Sequence, residues 1–384
     1  MVGDILAPMR RILPLVLMLA ALPAFAQDHP PFDSHEVNSN GAITFRYQNA
    51  AASRVTVDTD AAPDPLVMQK DSSGLWTVTT KPLPAEHYGY SFVVDGVTQL
   101  DPLNHTIRPN LVGLYSDVLV PGKPPAPWEL TQIPHGNVTR HMLTTFIAHG
   151  LPMDQEPYFV YTPPNYDPRH KGGYPVLYLL HGWSDYGDGW LTVGKADLML
   201  DSLISTGSIV PMIVVMPQGY GDYSFVTSGH TVWDDQAKVI GNLTLYSKML
   251  MQEIVPAVER DYPIARGRDN HAIAGLSMGG LESLTIGVNH ADYFAYVGGF
   301  SSAVKNLNFK QQMMDPGMAR NLRVLWVACG ASDDLITPNR NFVNWAKAQH
   351  LPVTAIETEG KHTWLVWREN FIHFTPLLFR QPRK

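Results

Sequence analysis

A serine between two glycines is the first feature of this sequence that could do chemistry. Gly275-Leu276-Ser277-Met278-Gly279 follows a predicted strand and precedes a predicted helix, which is where a G-x-S-x-G pentapeptide forms a sharp turn that exposes the serine hydroxyl. The glycines permit the tight turn, and the N-terminus of the helix offers backbone N–H groups to developing negative charge. The pattern predicts that Ser277 is a nucleophile in acyl transfer.

Two later segments supply the base and the acid that a serine nucleophile needs. Gly330–Asp334 and Gly360–Trp364 each follow a predicted strand, and the order along the chain is Ser, Asp, His. Because loops at the carboxyl ends of parallel strands converge on one edge of a sheet, we expect His362 to take the serine proton and an aspartate to fix the histidine tautomer. The residues favour Asp333 as this aspartate and leave the adjacent Asp334 open.

A fourth segment, Leu180-His181-Gly182-Trp183, follows the first long apolar strand. A His-Gly turn in this position places a backbone N–H beside the serine turn, so the N–H groups of Trp183 and Met278 are predicted to form a two-donor oxyanion hole. For His181 itself we expect a structural role.

Aromatic side chains are frequent in the segments that should border this site. If several of them line the cleft, a flat aromatic acyl group or a sugar ring fits better than a long alkyl chain. The candidates for substrate contact are Trp183, Tyr223, Trp233 and Trp364, and the other aromatic residues in these segments are Tyr186, Trp190, Tyr220 and Phe225.

The elements that must position these groups change in character along the chain. Beyond about residue 130, apolar runs that look like buried strands alternate with stretches of helical spacing, which predicts an α/β fold with a mostly parallel sheet covered on both faces. The predicted strands are Val176–Leu180, Met212–Met216, His271–Ala274, Tyr296–Phe300, Val324–Cys329 and Val353–Thr358, and the predicted helices include Leu245–Arg260 and Gly280–His290.

The preceding part of the chain has short alternating strands broken by Gly, Pro and Asp turns, which is typical of a small all-β sandwich. We assign residues 27–122 to this domain, 123–129 to a proline-rich linker and 130–384 to the catalytic domain. Trp76, Tyr88 and Tyr90 lie at strand spacing and are interpreted as sandwich core rather than as sugar-stacking residues. The short linker predicts that the sandwich packs on the catalytic domain and helps to shape its cleft.

Composition excludes several classes of function. The 384 residues carry a formal charge of −7 with no run of basic residues, so no nucleic-acid partner is expected. Cys329 is the single cysteine, and the 15 histidines contain no H-x-x-x-H or H-E-x-x-H arrangement, so no metal site is predicted. No nucleotide-binding glycine loop is present either, and the site is expected to work without a cofactor. The sequence does not indicate an oligomeric state.

The first 26 residues have the pattern of a secretory signal peptide. Arg10 and Arg11 precede the apolar run Ile12–Ala21, and Ala24-Phe25-Ala26 is a small-residue cleavage pattern. The run is too short to span a bilayer, so export to the periplasm or medium is predicted, without stable membrane insertion. Met9 is an alternative start to Met1.

The segments described above together resemble the esterase D type of α/β-hydrolase, and more narrowly the feruloyl and acetylxylan esterases of carbohydrate esterase family 1. The resemblance covers roughly Gln132 to Phe379. Carried over by position, the family's catalytic triad falls on Ser277, Asp333 and His362, which supports the first of the two aspartates. The segments that carry the resemblance are Val160–Pro164, Leu179–Gly182, Glu253–Pro256, Gly275–Gly280, Cys329–Asp333 and Gly360–His362 with Trp367 behind it.

The N-terminal domain resembles the immunoglobulin-like early-set sandwich related to carbohydrate-binding module family 48, through Tyr88–Gly96 and Asp101-Pro102. Glycogen-binding members place a tryptophan shortly after the Asp-Gly turn, whereas Val97-Thr98-Gln99-Leu100 stands here. Starch-type binding is therefore not expected.

These resemblances imply an exported serine esterase that acts on plant cell-wall polysaccharide and releases ferulate from feruloylated xylan. The alternatives are an acetylxylan esterase, an enterochelin-type siderophore esterase and a non-catalytic glycan-binding protein of the cell envelope. Export argues against the siderophore esterase, since those enzymes act on imported ligand in the cytoplasm. The intact set of Ser277, Asp333 and His362 disfavours the binding protein.

Overall fold

A computed structural model describes residues 32–313 and 316–380 of the chain. The predicted signal peptide, residues 1–26, lies outside the described residues. Within the described ranges, every helix is too short or too polar to cross a lipid bilayer.

The first part of the described chain is an all-β sandwich. Its two antiparallel sheets have the strand orders β1-β2-β6-β5 and β4-β3-β7-β10-β9, with β8 beside β7. Phe45 on one sheet packs against Tyr90 on the other, with 4.7 Å between ring centroids. In chain order the strands are β1 (His35–Val37), β2 (Ile43–Gln48), β3 (Val55–Thr59), β4 (Leu66–Val67), β5 (Gln69–Lys70), β6 (Leu75–Thr79), β7 (Glu86–Val94), β8 (Val97–Gln99), β9 (Ile107–Arg108) and β10 (Tyr115–Val120).

The sequence leaves two interpretations for three aromatic residues of the sandwich, as part of its core or as sugar-binding residues. Trp76, Tyr88 and Tyr90 are 6%, 2% and 0% exposed and belong to the core between the two sheets. The core interpretation is therefore confirmed, because none of these three rings has a face available to a ligand.

The second part is built on an eight-stranded sheet in the order β11-β12-β14-β13-β15-β16-β17-β18. The pairs β11–β12 and β12–β14 are antiparallel, and the pairs from β14 to β18 are parallel. The fold class predicted from the sequence is confirmed, although the two antiparallel strands at one edge were not predicted. The strands are β11 (Asn137–Thr144), β12 (Gln155–Thr162), β13 (Val176–Leu180), β14 (Ile213–Pro217), β15 (His271–Leu276), β16 (Tyr296–Phe300), β17 (Val324–Gly330) and β18 (Val353–Thr358).

Helices cover both faces of this sheet. Along β13, Val176 and Tyr178 point into the core beneath α4, α5, α6 and α9, while Leu177 and Leu179 point into the core beneath α2 and α10. A strand buried on both faces must be apolar throughout, as Val176–Leu180 is. The helices of the described residues are α1 (Gly189–Thr192), α2 (Ala196–Ser205), α3 (Ser224–Thr227), α4 (Gln236–Met249), α5 (Val255–Asp261), α6 (Met278–Asn289), α7 (Phe309–Gln312), α8 (Pro316–Ala319), α9 (Ile336–Ala348) and α10 (Trp364–Phe374).

The helix predicted over Leu245–Arg260 is interrupted. Helix α4 ends at Met249, a π-helical turn occupies Leu250–Ile254, and α5 follows. Pro256 lies in the first turn of α5, where its missing N–H is tolerated, and the wider turn before it accommodates the proline ring. The segment is helical, as its spacing predicts, but the π-helical turn depends on backbone geometry that the spacing of apolar residues does not indicate.

A buried arginine joins the sandwich to the second part of the chain. Arg368 on α10 is fully buried and donates from Nε to Glu86 on β7 at 2.8 Å, and from its two terminal nitrogens to the carbonyls of Val193 and His87. A buried guanidinium needs such partners, since an unpaired buried charge is strongly destabilising. Contacts group the chain from Ser34 onward into one compact unit, and the predicted domain boundaries stay a prediction.

Candidate active site

Ser277 stands at the turn between β15 and α6 in a strained backbone conformation. Its φ of 52° and ψ of −110° are rarely adopted by a residue with a side chain. Two hydrogen bonds hold the turn: the Ser277 N–H donates to the carbonyl of Phe300 at 2.8 Å, and the Ser277 carbonyl accepts from Ala303 at 2.9 Å. The hydroxyl is thereby fixed above the edge of the sheet.

The two glycines of the pentapeptide are required by close backbone approach. A Cβ on Gly275 would lie 2.5 Å from the backbone of Gly279, and a Cβ on Gly279 would lie 2.5 Å from the carbonyl oxygen of His181. Both distances are shorter than any real carbon contact. The sequence pattern therefore has a steric cause that the structure makes explicit.

His362 connects Ser277 to a buried carboxylate. Its Nε2 lies 3.0 Å from the Ser277 Oγ, and its Nδ1 lies 2.8 Å from the Oδ2 of Asp333. The ring of Trp367 packs edge-on against the imidazole, with 4.9 Å between centroids. The loops after β15, β17 and β18 therefore bring together the three residues that the sequence singled out.

Asp333 and Asp334 have different environments. Asp333 is 2% exposed, and its other oxygen accepts the N–H of Leu335 at 2.8 Å. Burial acts to raise the pKa of Asp333, but the hydrogen bonds from His362 and Leu335 outweigh it and leave the pKa lowered. Asp334 is exposed and has no bond to His362 among the described residues. The geometry supports Asp333 as the partner of the histidine.

The loop His181–Asp185, here called the HG loop, lies beside the serine turn. A Cβ on Gly182 would be 3.5 Å from the Cβ of Ser277, and the N–H of Gly279 donates to the carbonyl of His181 at 3.0 Å. Across residues 32–313 and 316–380, the backbone N–H groups of Trp183 and Met278 have no acceptor. Two unengaged donors beside a nucleophile are what an oxyanion hole requires.

His181 braces the HG loop from within. Its Nδ1 donates to the carbonyl of Gly182 at 2.7 Å, and its Nε2 accepts the N–H of Gly219 at 2.8 Å. These bonds define a neutral imidazole, and burial lowers the pKa of His181 to about 4. His181 is 1% exposed, so it acts on the structure of the loop and not on a ligand.

A cleft of about 370 Å³ opens above Ser277 and His362. Of the four predicted substrate contacts, Trp183 and Trp364 line it. Trp233 instead is 6% exposed with its ring against Phe225, and Tyr223 packs on the core and on Tyr220. Both side chains pack against other aromatic residues and do not line this cleft, which residue type alone does not reveal.

The sandwich forms the other wall of the cleft, and the sequence motifs do not indicate which of its residues do so. Its contributions are Asp60, Arg108, Asn110 and Tyr115, facing Trp364 and Trp367 of the catalytic part. Arg108 donates from Nη1 to Asp60 at 2.6 Å and from Nε to Asp117 at 2.7 Å. No local signal marks these side chains, since they reach the cleft only through the packing of the two parts.

A mostly parallel sheet, a strained serine turn and loops that bring an Asp–His pair to that serine define an α/β-hydrolase. Residues 153–378 match the profile of the family described as "Putative esterase". The chain belongs to this esterase family, as the sequence resemblance predicted, while the relation of the sandwich to carbohydrate-binding module family 48 stays a prediction.

Three similar proteins illustrate the family. An endo-1,4-beta-xylanase/feruloyl esterase of Xylanibacter ruminicola is 31% identical over 356 residues, covering 90% of this chain but 46% of the relative, so the chain spans less than half of that protein. A ferulic acid esterase of Anaeromyces mucronatus, solved with ferulic acid, has a TM-score of 0.57 and 22% identity, covering 65% of this chain and 93% of that one. The enterochelin esterase of Shigella flexneri has a TM-score of 0.64 and 17% identity, covering 89% and 94%. The two structural likenesses establish the fold.

Proposed function

We propose that this chain is a carboxylic ester hydrolase that uses Ser277 as nucleophile, His362 as general base and Asp333 as orienting acid. The observation that carries the proposal is the continuous hydrogen-bonded path from the Ser277 hydroxyl through both ring nitrogens of His362 to the Asp333 carboxylate. This path exists at a strained turn in an open cleft, where a purely structural serine has no need of it.

In the first half-reaction, Ser277 Oγ attacks the ester carbonyl while its proton passes to His362 Nε2. Negative charge develops on the carbonyl oxygen and is received by the N–H groups of Trp183 and Met278. The tetrahedral intermediate collapses as His362 returns the proton to the leaving alcohol, which leaves an acyl group on Ser277. The ionised Asp333 stabilises the imidazolium that forms between these steps.

In the second half-reaction, water attacks the acyl-enzyme by the same route in reverse. His362 takes a proton from the water and delivers it to Ser277 Oγ as the carboxylic acid leaves. The His362 side chain is 36% exposed, so water reaches the base without a conformational change.

For the acyl group we propose a hydroxycinnamate such as ferulate. Trp183 is half-buried and offers its ring to a flat aromatic acid, while Trp364 and Trp367, which are 9% and 6% exposed, contribute a smaller apolar part of the cleft lining. The names of the Xylanibacter and Anaeromyces proteins point to the same acyl group. Acetate, the alternative, would leave most of this aromatic surface uncovered.

For the alcohol we propose a plant cell-wall polysaccharide, with xylan as the backbone. The cleft is open and has a polar wall with Asp60 and Tyr115, a surface suited to sugar hydroxyls. Export through the predicted signal peptide belongs to the same proposal, because the substrate is outside the cell. Sequencing the N-terminus of secreted protein should give Gln27 as the first residue.

The fold likeness to enterochelin esterase over both parts of the chain keeps a siderophore ester as the second candidate. A catecholate siderophore is anionic and needs cationic side chains. In the part of the chain that the structure describes, Arg108 is the cation that lines the cleft, and it is already paired with Asp60 and Asp117. The electrostatics of the cleft therefore favour a neutral ester.

A comparison of kcat/KM on methyl ferulate, acetylated xylan and a catecholate siderophore ester tests the substrate proposal. We expect methyl ferulate to be preferred by at least about tenfold, since acyl selectivity depends on the surface that the pocket buries. Preference for acetylated xylan would overturn the feruloyl assignment and keep the mechanism. Preference for the siderophore ester would overturn the cell-wall role.

A further inference from the structure

The HG loop is contacted from the sandwich as well as from its own sheet. The segment 109–114 joins β9 to β10 and lies across the loop. Asn110 Nδ2 donates to Ser184 Oγ at 3.0 Å and to Asp185 Oδ1 at 3.1 Å, and the N–H of Leu111 donates to the Ser184 carbonyl at 2.7 Å. Three hydrogen bonds thus converge from one part of the protein on two residues of the other.

The orientation of the Asn110 amide is fixed. Its oxygen accepts the N–H of Val112 at 3.1 Å, so its two N–H bonds are directed at Ser184 and Asp185. A flipped amide would place oxygen against the Asp185 carboxylate and N–H against the N–H of Val112, and would lose both of those bonds. The side chain is therefore oriented for donation before any ligand arrives.

The two receiving residues need such a partner. Ser184 has a φ of 73°, a left-handed conformation that costs about 1 kcal/mol or more for a residue with a side chain. Asp185 is 7% exposed, and no side chain other than Asn110 donates to its carboxylate within residues 32–313 and 316–380. Without Asn110, the Ser184 hydroxyl and the Asp185 carboxylate would each lose a hydrogen bond, while the Ser184 backbone would keep its bonds to Leu111 and Tyr220.

We propose that Asn110 is a positioning residue that holds the HG loop, through Ser184 and Asp185, so that the Trp183 N–H faces the developing oxyanion. The inference rests on the esterase function proposed above. In this proposal the sandwich contributes to catalysis through one contact, because Asn110 holds Ser184, the residue that follows Trp183. A shift of Ser184 would move the Trp183 N–H away from the oxyanion.

The expected kinetic signature separates positioning from substrate binding. An oxyanion donor acts mainly in the transition state, so Asn110→Ala should lower kcat about tenfold with KM changed less than twofold, a smaller loss than the roughly 10²–10³ of a direct donor. The inhibition constant of benzeneboronic acid, which forms a tetrahedral adduct on the serine, should rise by about the same factor as kcat falls. Asn110→Asp keeps the shape, removes the donors and should lose at least as much.

The matched control is Asn38→Ala. Asn38 is also a sandwich asparagine, but its Nδ2 donates to the hydroxyl of Thr44 at 3.0 Å within the sandwich, and among the described residues it has no hydrogen bond to the HG loop. It should keep wild-type kcat and boronate affinity. Wild-type kcat in both Asn110 variants would overturn the proposal, and so would a rise in KM at constant kcat, since that would make Asn110 a substrate contact.

A double-mutant cycle with Ser184→Ala tests whether Asn110 acts through the loop. If it does, the losses of the two single variants are not additive, and the double variant is close to the worse single one. Fully additive losses would contradict the proposed route.

Hydrogen exchange distinguishes failure of this inference from failure of the esterase proposal. Amide exchange in the peptide containing His181–Asp185 should be faster in Asn110→Ala than in wild type and unchanged in Asn38→Ala, whether or not any ester is hydrolysed. Unchanged exchange in Asn110→Ala overturns the positioning role. A third result is possible: exchange is faster in Asn110→Ala than in wild type, but wild type hydrolyses none of the tested esters. That result would uphold the positioning role of Asn110 and overturn only the proposed function.

Discussion

The serine turn at residues 275–279 and the HG loop at residues 181–185 lie side by side, and they are held in different ways. The turn is fixed by backbone bonds to Phe300 and Ala303 and by glycines that nothing else could replace. The HG loop depends on side chains, with His181 within it and Asn110 reaching it from the sandwich. The serine turn is therefore held within its own sheet, whereas the HG loop is held by two parts of the chain together.

The largest expected effect lies in the turn. Ser277→Ala should lower kcat by on the order of 10⁶, because the acyl-enzyme requires the hydroxyl. The thermal midpoint should stay near that of wild type, since the backbone bonds of the turn do not involve the hydroxyl. Hydrolysis of methyl ferulate followed by absorbance provides the measurement, and a variant that keeps a tenth of wild-type turnover would show that Ser277 is not the nucleophile.

The next effect distinguishes the two neighbouring aspartates. Asp333→Asn should lower kcat by about 10⁴, because His362 would lose the acceptor that fixes its tautomer. Asp334→Asn, its matched control, should stay within about threefold, since Asp334 is exposed and acts on no catalytic group. The reverse order in steady-state kinetics would assign the acid to Asp334.

Removing the sandwich should affect the HG loop and leave the serine turn intact. A protein without residues 27–122 loses Asn110 and the Glu86 partner of the buried Arg368. We expect kcat/KM on methyl ferulate to fall about tenfold or more, with a lower thermal midpoint, because apolar surface that the sandwich covers, including Leu365 on α10, becomes exposed to water. A truncated protein with full activity and stability would show that the two parts are independent.

The smallest effect concerns His181 and the dependence of stability on pH. Its pKa is lowered to about 4 by burial, whereas in the unfolded chain it is about 6.5, so between these pH values the unfolded state binds more protons. The contribution of His181 to the free energy of unfolding should therefore rise with pH across this window, by up to about 3 kcal/mol, whereas Glu86 and Asp185, whose pKa values burial raises to about 7, contribute in the opposite direction.

Denaturant melts from pH 4 to 7 measure this contribution. The free energy of unfolding of wild type minus that of His181→Asn should grow from pH 4 to 7, whereas the same difference for His350→Asn, at an exposed histidine in a left-handed conformation that asparagine tolerates, should not change. A difference for His181→Asn that is constant across this range would mean that His181 does not titrate as its burial requires.

The contrast also explains what could be predicted from the sequence. The serine turn, the parallel strands and the loops carrying Asp333 and His362 follow from local patterns: apolar runs, glycine spacing and chain order. The order of parallel strands in the sheet need not be known for this prediction, because a residue that directly follows any of them lies at the same edge of the sheet. The site residues on these loops were accessible for that reason.

The rest depends on contacts between distant segments. Asn110 and Ser184 are 74 positions apart, and nothing in either segment alone indicates the other. Strand β11 lies at the edge of the sheet and pairs with β12, which pairs in turn with β14, and most of β11 is exposed, so its apolar pattern is weak. Trp233 and Trp364 are the same residue type, and packing decides that Trp364 lines the cleft while Trp233 lies against Phe225.

Active-site labelling tests the central claim most directly. A fluorophosphonate should react with the folded protein in a one-to-one ratio, and peptide mass spectrometry should locate the adduct on Ser277. Labelling should be lost in Ser277→Ala and strongly slowed in His362→Ala, because the base is needed to activate the hydroxyl. No adduct on folded wild-type protein, or an adduct on another residue, would contradict the account.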